Sequence, residues 1–192
     1  MRERGARKSR KHTVVVLVGG GIDSTVLLSI YRREKVPIIG VHYDYGQKAL
    51  RGELRSIRRV SHFYKVPMRW RRLTIPVHAR GDEYLGRNAL FVLAAAAEFG
   101  TSSVRIGIGA HARSPYYDCS RHFLDSMQGV LDGYFDGKVV LEAPLMSFSK
   151  AEVVAYGRRH RVPLDVTFSC TRGTSLPCGL CPSCLDRRVL GV

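Results

Sequence analysis

Thr13-Val14-Val15-Val16-Leu17-Val18-Gly19-Gly20-Gly21-Ile22-Asp23-Ser24-Thr25 is the stretch on which the fold turns. Thr13 to Val18 is a continuous apolar, β-branched run, the composition of a strand buried on both faces. Three glycines follow, and without β-carbons their main-chain N–H groups can turn toward an anion. A helix read from Ser24 to Glu34 then adds the partial positive charge of its first turn. A strand that runs through a glycine turn into a helix begins a doubly wound α/β sheet, where ligands sit beyond the carboxyl ends of the strands. Val18, Gly19, Gly20, Gly21, Ile22, Asp23, Ser24 and Thr25 are therefore the candidate phosphate-binding residues. Such a turn can also be purely structural, but the Asp-Ser-Thr behind it favours phosphate. The segment is neither a Walker loop, which needs Gly-Lys-Ser/Thr, nor a Gly-x-Gly-x-x-Gly dinucleotide fingerprint.

Outward from this stretch the same alternation continues. Ile38 to Tyr43 reads as extended, Lys48 to Tyr64 as an amphipathic helix, and Met68 to Leu73 as a third strand. Arg87 to Phe99 carries a run of alanines and ends at Gly100, a natural C-terminal cap. Val104 to Ile108 follows as a strand. Arg121 to Tyr134 and Ser149 to Arg161 complete the helices, the second opened by a capping box of Ser149 and Glu152. The order predicts one parallel sheet with helices on both faces. Without a repeat or linker, residues 13 to 192 read as one domain behind a disordered basic arm, residues 1 to 12.

The C-terminal region holds Cys170, Cys178, Cys181 and Cys184. Two-residue gaps let a tight loop aim consecutive sulfurs at one point, and Pro177, Gly179 and Pro182 bias the backbone toward the turns this needs. The spacing reads as one structural zinc held by four thiolates. A disulfide pair or a group of reactive thiols is the competing reading. The fifth cysteine, Cys119, reads as a small packed thiol.

The formal net charge is +15, and +12 of it falls in two stretches, residues 1 to 12 and 51 to 72. Such patches bind phosphate backbones through counterion release. The plainer account is a basic tail plus a solvated helix face, with Arg51, Arg55, Arg58 and Arg59 opposite Leu50, Leu54, Ile57 and Tyr64. A basic face without interleaved exposed aromatics argues only for weak, non-specific nucleic-acid binding. No apolar run approaches the roughly 20 residues that cross a bilayer, and the N-terminus lacks an export signal's apolar core and cleavage site. The expected location is the cytoplasm, with no membrane partner.

Gly20-Gly21-Ile22-Asp23-Ser24 resembles the Ser-Gly-Gly-x-Asp-Ser loop of the N-type ATP pyrophosphatases. Within that superfamily the chain is similar to the 7-cyano-7-deazaguanine synthase (QueC) family. The likeness runs through His42-Tyr43-Asp44-Tyr45-Gly46-Gln47-Lys48, Gly86-Arg87-Asn88, Tyr117-Asp118-Cys119, Ala143-Pro144-Leu145-Met146, Ser149-Lys150-Ala151-Glu152 and Phe168-Ser169-Cys170. It covers the chain from about residue 13 to 188.

The resemblance implies an adenine nucleotide alpha hydrolase-like fold and a ligase that joins 7-carboxy-7-deazaguanine and ammonia at the expense of ATP and Mg²⁺. The product would be the nitrile precursor of queuosine or archaeosine. Asp23, Ser24, Lys48, Arg87 and Lys150 would be catalytic, with Ser24 and the loop amides on the pyrophosphate and Asp23 placing Mg²⁺. Asp44, Asn88, Tyr117 and Asp118 would meet the deazapurine acid. The pattern leaves room for a homodimer. Two positions depart from the family: Gly19 stands where the loop has its first serine, and Ala112 stands where an acidic residue precedes the Asp-Cys pair. In the second region His111 and Arg113 offer other polar groups. The remaining alternatives are a ligase of the same kind acting on a different carboxylate, a tRNA-modifying ATP pyrophosphatase, and a non-catalytic zinc module that binds RNA.

Overall fold

The computed structural model describes residues 12–74, 77–80, 83–112, 114–173 and 175–192. All but the last residue of the basic arm, and Arg113, lie outside them.

The valine run forms strand β1 (Thr13–Leu17), and helix α1 (Ile22–Glu34) follows. Next come β2 (Ile38–Asp44), α2 (Leu50–Tyr64), β3 (Met68–Arg72), a two-stranded piece of β4 (Ala79–Arg80) and β5 (Glu83–Tyr84), and α3 (Arg87–Phe99). The chain finishes with β6 (Val104–Gly107), α4 (Arg121–Phe135), β7 (Val139–Glu142), α5 (Lys150–Arg159) and α6 (Pro182–Leu190). Five strands form one parallel sheet in the order β3-β2-β1-β6-β7. Chain order reverses at β1, so β1 and β6 flank the switch point where a crevice opens at the carboxyl edge.

Alternation along β1 explains how both faces are buried. Val14 and Val16 pack with α1, with Ile57 and Val60 of α2, and with Val153 and Val154 of α5. Val15 packs on the other face with Val92, Ala95 and Ala96 of α3 and with Leu124, Met127 and Leu131 of α4. The capping box is present, with the Ser149 hydroxyl accepting from the Glu152 N–H and the Glu152 carboxylate from the Ser149 N–H.

The main differences from the sequence reading are α1 starting two residues earlier, the strand β7, and the helix α6. β7 is four residues long with Val140 exposed, too short and too irregular to leave a periodic signal. Its outer edge would expose unpaired backbone groups. Gln128 of α4 covers it like a piece of strand, donating from Nε2 to the Val139 carbonyl at 2.9 Å while its Oε1 accepts from the Leu141 N–H at 2.8 Å. Pro182 at the first turn of α6 suits a helix start, a cue masked by the cysteine spacing around it. Among the described residues no helix is long and apolar enough to cross a membrane.

Candidate functional site

Gly21 is the N-cap of α1, so Asp23 and Ser24 occupy the helix's first turn, where backbone N–H groups lack intrahelical partners. Only Gly20 of the three glycines needs to be glycine on steric grounds. Its φ is +75°, and a β-carbon there would stand 2.9 Å from the Glu53 carbonyl oxygen of α2. Gly19 has nothing within 4 Å of a β-carbon, so the space for the family's serine is present. The Thr25 hydroxyl donates to the Gly21 carbonyl at 2.8 Å, and the Ser24 hydroxyl to the same oxygen at 3.3 Å. Gly109, just beyond β6, closes the other wall; a β-carbon there would come within 3.2 Å of the Ser24 nitrogen.

Lys150 is the first residue of α5, a poor place for a cation because the helix end is itself positive. The structure supplies the reason for its presence. Its ammonium sits 2.6 Å from each Asp23 carboxylate oxygen, across 127 residues of chain. Both groups are about one-quarter exposed, so the pair faces the mouth above the glycine loop.

A second cluster gathers where α3 begins. Arg87 donates to the Tyr45 hydroxyl at 3.4 Å, its guanidinium lies 5.7 Å from the Tyr84 ring centre, and its Nε is buried without a partner. The Asp118 carboxylate accepts from the Asn88 N–H, which caps the first turn of α3. Burial raises the Asp118 carboxyl above its ordinary value, against the opposing pull of Arg87, the Cys119 thiol and the Asn88 N–H. The Cys119 thiol is pushed up to about 11 by burial, so at neutral pH it is a thiol.

Other sequence-predicted residues have different company. Asp44 accepts from the Gly46 N–H at 3.1 Å and pairs with Arg72 at 3.2 Å. Lys48 is exposed, and no ion pair involves it among the described residues. Tyr117 is 56% exposed and lies edge-on to His122 and Phe123. The His111 ring nitrogen Nδ1 meets the Ala112 carbonyl at 2.9 Å. Two surface clefts of about 460 and 360 Å³ lie elsewhere. The smaller places Phe63, 54% exposed, among Arg58, Arg59 and His62, so the basic face does carry an aromatic.

The four sulfurs of Cys170, Cys178, Cys181 and Cys184 all lie within 4.8 Å of one another. Cys178 and Cys184 are 4.0 Å apart, and Cys170 and Cys181 3.9 Å, far beyond the roughly 2.05 Å of a disulfide. Backbone N–H groups of Gly173 and Cys178 donate to the Cys170 sulfur, and those of Leu180 and Cys181 to the Cys178 sulfur. Backbone N–H groups stand behind the Cys181 and Cys184 sulfurs as well, and four converging thiols so supported could hold one metal ion. The cluster is also joined to the glycine loop. Phe168 donates its N–H to the Gly20 carbonyl at 2.8 Å, its ring packs against Gly52 of α2, and it shares a small core with Ala49, Cys170, Cys181 and Cys184.

The family described as "Queuosine biosynthesis protein QueC" matches residues 13–82 and 82–189, from the strand before the glycine loop into the helix that carries the last cysteine. The chain belongs to the QueC family. This QueC chain is 32% identical to "7-cyano-7-deazaguanine synthase 2" of Desulfitobacterium hafniense, covering 90% of the present chain and 85% of that protein. It is 31% identical to the "7-cyano-7-deazaguanine synthase" of Thermoplasma volcanium, covering 88% and 82%. Among solved structures it is similar to a predicted subunit of tRNA methyltransferase from Methanocaldococcus jannaschii. There the TM-score is 0.55 and the identity 15%, over 77% of this chain and 74% of that one, a likeness of fold alone.

Sequence reasoning missed the layer beneath the loop of this QueC chain. His42 of β2 is 3% exposed and holds the Val18 carbonyl with Nδ1 at 2.9 Å. The Ser56 hydroxyl of α2 donates to the Gly20 carbonyl at 2.6 Å. Gln47 donates to Glu53 at 2.7 Å, and a Glu53 oxygen stands 3.7 Å from the His42 Nε2. Burial lowers the imidazole and raises the Glu53 carboxyl, which disfavours a charged pair there. His42 and Gln47 stand inside a quoted motif, but nothing local says that they face the loop. A polar residue on the buried stripe of α2 was the available signal for Ser56.

Proposed function

We propose that the chain is an ATP-dependent carbon–nitrogen ligase that converts 7-carboxy-7-deazaguanine and ammonia into 7-cyano-7-deazaguanine, supplying queuosine or archaeosine synthesis. The observation that carries this reading is the continuous family match across both the glycine loop and the cysteine cluster, two sites that Phe168 joins.

In this reading the substrate carboxylate attacks the α-phosphate of ATP and pyrophosphate leaves. Ammonia then displaces the activated oxygen to give an amide. A second activation removes the amide oxygen and leaves the nitrile. Each step crowds negative oxygens together, so catalysis is chiefly the preorganised supply of donors and positive charge. Loop amides and Ser24 hold the pyrophosphate portion at the positive end of α1. Lys150 offsets the Asp23 charge and is placed to share its own with bound phosphates, while Asp23 would help hold Mg²⁺. Arg87 carries a charge with donors to spare, suited to a bidentate carboxylate contact. Asp118 accepts from the N–H edge of the base, although it must share its oxygens with the cap of α3. Asn88 and Tyr117 complete that side.

The cysteine cluster would hold zinc. Four thiolates about 2.3 Å from a tetrahedral centre stand about 3.8 Å apart, close to the 3.9 and 4.0 Å separations here. Its role is to fix Phe168, and through it the back of the glycine loop.

The test is product analysis by mass spectrometry after incubating the protein with ATP, ammonia and 7-carboxy-7-deazaguanine. The nitrile is expected; its absence, with a different carboxylate consumed instead, would move the chain to another substrate. The basic face is expected to be dispensable on the free base. Charge reversal at Arg58 and Arg59 should change kcat by less than about twofold, because exposed charges away from the mouth act through a screened field. Product formed only on tRNA, and lost in that variant, would overturn this.

A further inference from the structure

A trans peptide is planar, so its C=O and N–H point in opposite directions. Holding a carbonyl from behind therefore aims the next residue's N–H forward. No cis peptide is present among the described residues, and two carbonyls of the glycine loop are held in this way. The Val18 carbonyl meets His42 Nδ1 at 2.9 Å, which directs the Gly19 N–H away from β2. The Gly20 carbonyl accepts from the Ser56 hydroxyl at 2.6 Å and from the Phe168 N–H at 2.8 Å, which directs the Gly21 N–H away from α2 and Phe168. Among the described residues no hydrogen-bond acceptor is found for either the Gly19 or the Gly21 N–H.

We infer that His42 and Ser56 are positioning residues for the phosphate loop: they clamp the Val18 and Gly20 carbonyls from behind and so preset the Gly19 and Gly21 amides to receive a pyrophosphate-bearing ligand. The inference rests on the ATP-ligase reading above. A carbonyl oxygen can only accept, so Nδ1 is the protonated nitrogen of His42 and its tautomer is set by the loop. The other ring nitrogen faces Glu53 at 3.7 Å, and Gln47 fixes that carboxyl by a 2.7 Å bond. The clamp thus draws on β2 through His42 and on α2 through Ser56. Glycines are intrinsically free to flip their peptide planes, which is why a loop this rich in glycine needs outside restraint to keep its donors aimed.

The experiment titrates inorganic pyrophosphate and ATP into the full chain by calorimetry, beside steady-state kinetics, for wild type, Ser56→Ala, His42→Leu and His42→Asn. Asparagine can offer an amide N–H in place of Nδ1, whereas leucine fills the space without a donor. Ser56→Ala and His42→Leu are each expected to weaken pyrophosphate and ATP binding by about tenfold, the scale of one hydrogen bond in a charged site. KM for ATP should rise with kcat little changed and KM for the carboxylate unaffected, because the amides contact the phosphates before and during the reaction. His42→Asn should recover most of the loss. If His42→Leu does not fold, Ser56→Ala decides alone, with thermal melting as its folding control. Pyrophosphate and ATP binding within twofold of wild type in a folded Ser56→Ala protein would overturn the inference while leaving the ligase reading intact. A wild-type chain that binds neither ligand would overturn both.

Discussion

Cys181→Ala should purify with little or no bound metal and, if it accumulates at all, should melt at least about 10 °C below wild type. A structural zinc contributes on the order of 10–16 kcal/mol of folding free energy, comparable to the whole stability of a domain. Forfeiting even a quarter of that moves the melting point of a chain this long by about 10 °C. Cys181 is fully buried, its sulfur is 3.9 Å from that of Cys170, and its neighbours in the small core include Phe168 and Ala49. Loss of the ion therefore frees Phe168 from the back of the glycine loop, and activity should fall with the fold. Cys119→Ala is the control: a half-buried thiol outside the cluster, expected to keep its full metal content. Elemental analysis of protein purified without chelators checks the claim. Less than about half an equivalent of metal in wild type, or a Cys181→Ala protein melting within about 2 °C of it, would sink it.

The second large effect lies at the mouth. Asp23→Ala, Ser24→Ala and Lys150→Met are each expected to fold and to lose turnover by about 10²-fold or more, the scale of one preorganised electrostatic contact. Asp23→Ala and Lys150→Met should not be additive with each other. Each removes one half of a pair whose 2.6 Å contacts make the two side chains a unit, so the double variant should be little worse than either single one. Gly20→Val should match them by another route. A β-carbon would press on the Glu53 carbonyl at 2.9 Å while valine was forced to a φ of +75°. Single-turnover rates with saturating ATP, alongside circular dichroism, separate chemistry from folding. Normal turnover in both the Asp23 and Ser24 variants would show that the glycine segment is only a turn.

How much of this was legible beforehand depended on the range of the interactions involved. The valine run, the glycine turn, the capping box at Ser149 and the glycine after Phe99 all act within a few residues, and each appears in the structure where the sequence points. The cysteine spacing is local in the same sense, and the sulfurs do converge. β7 escaped because four residues with one exposed valine carry no period; what makes them a strand is pairing with β6 and the side chain of Gln128. Asp44 stands in a local motif, but its partnership with Arg72 joins adjacent strands and no local pattern announces it.

By itself, then, the sequence determined a parallel α/β sheet, a glycine turn after its first strand, and a four-cysteine cluster near its end, because hydrogen-bonding, steric and spacing rules act over short stretches of chain. Only the tertiary structure decided that Lys150 meets Asp23, that His42 and Ser56 stand behind the glycine loop, and that Phe168 ties the loop to the cysteines. Those contacts join residues 24 to 148 positions apart in sequence, and they form because the twisted sheet and its packed helices bring separate segments to one edge. No local pattern encodes that meeting.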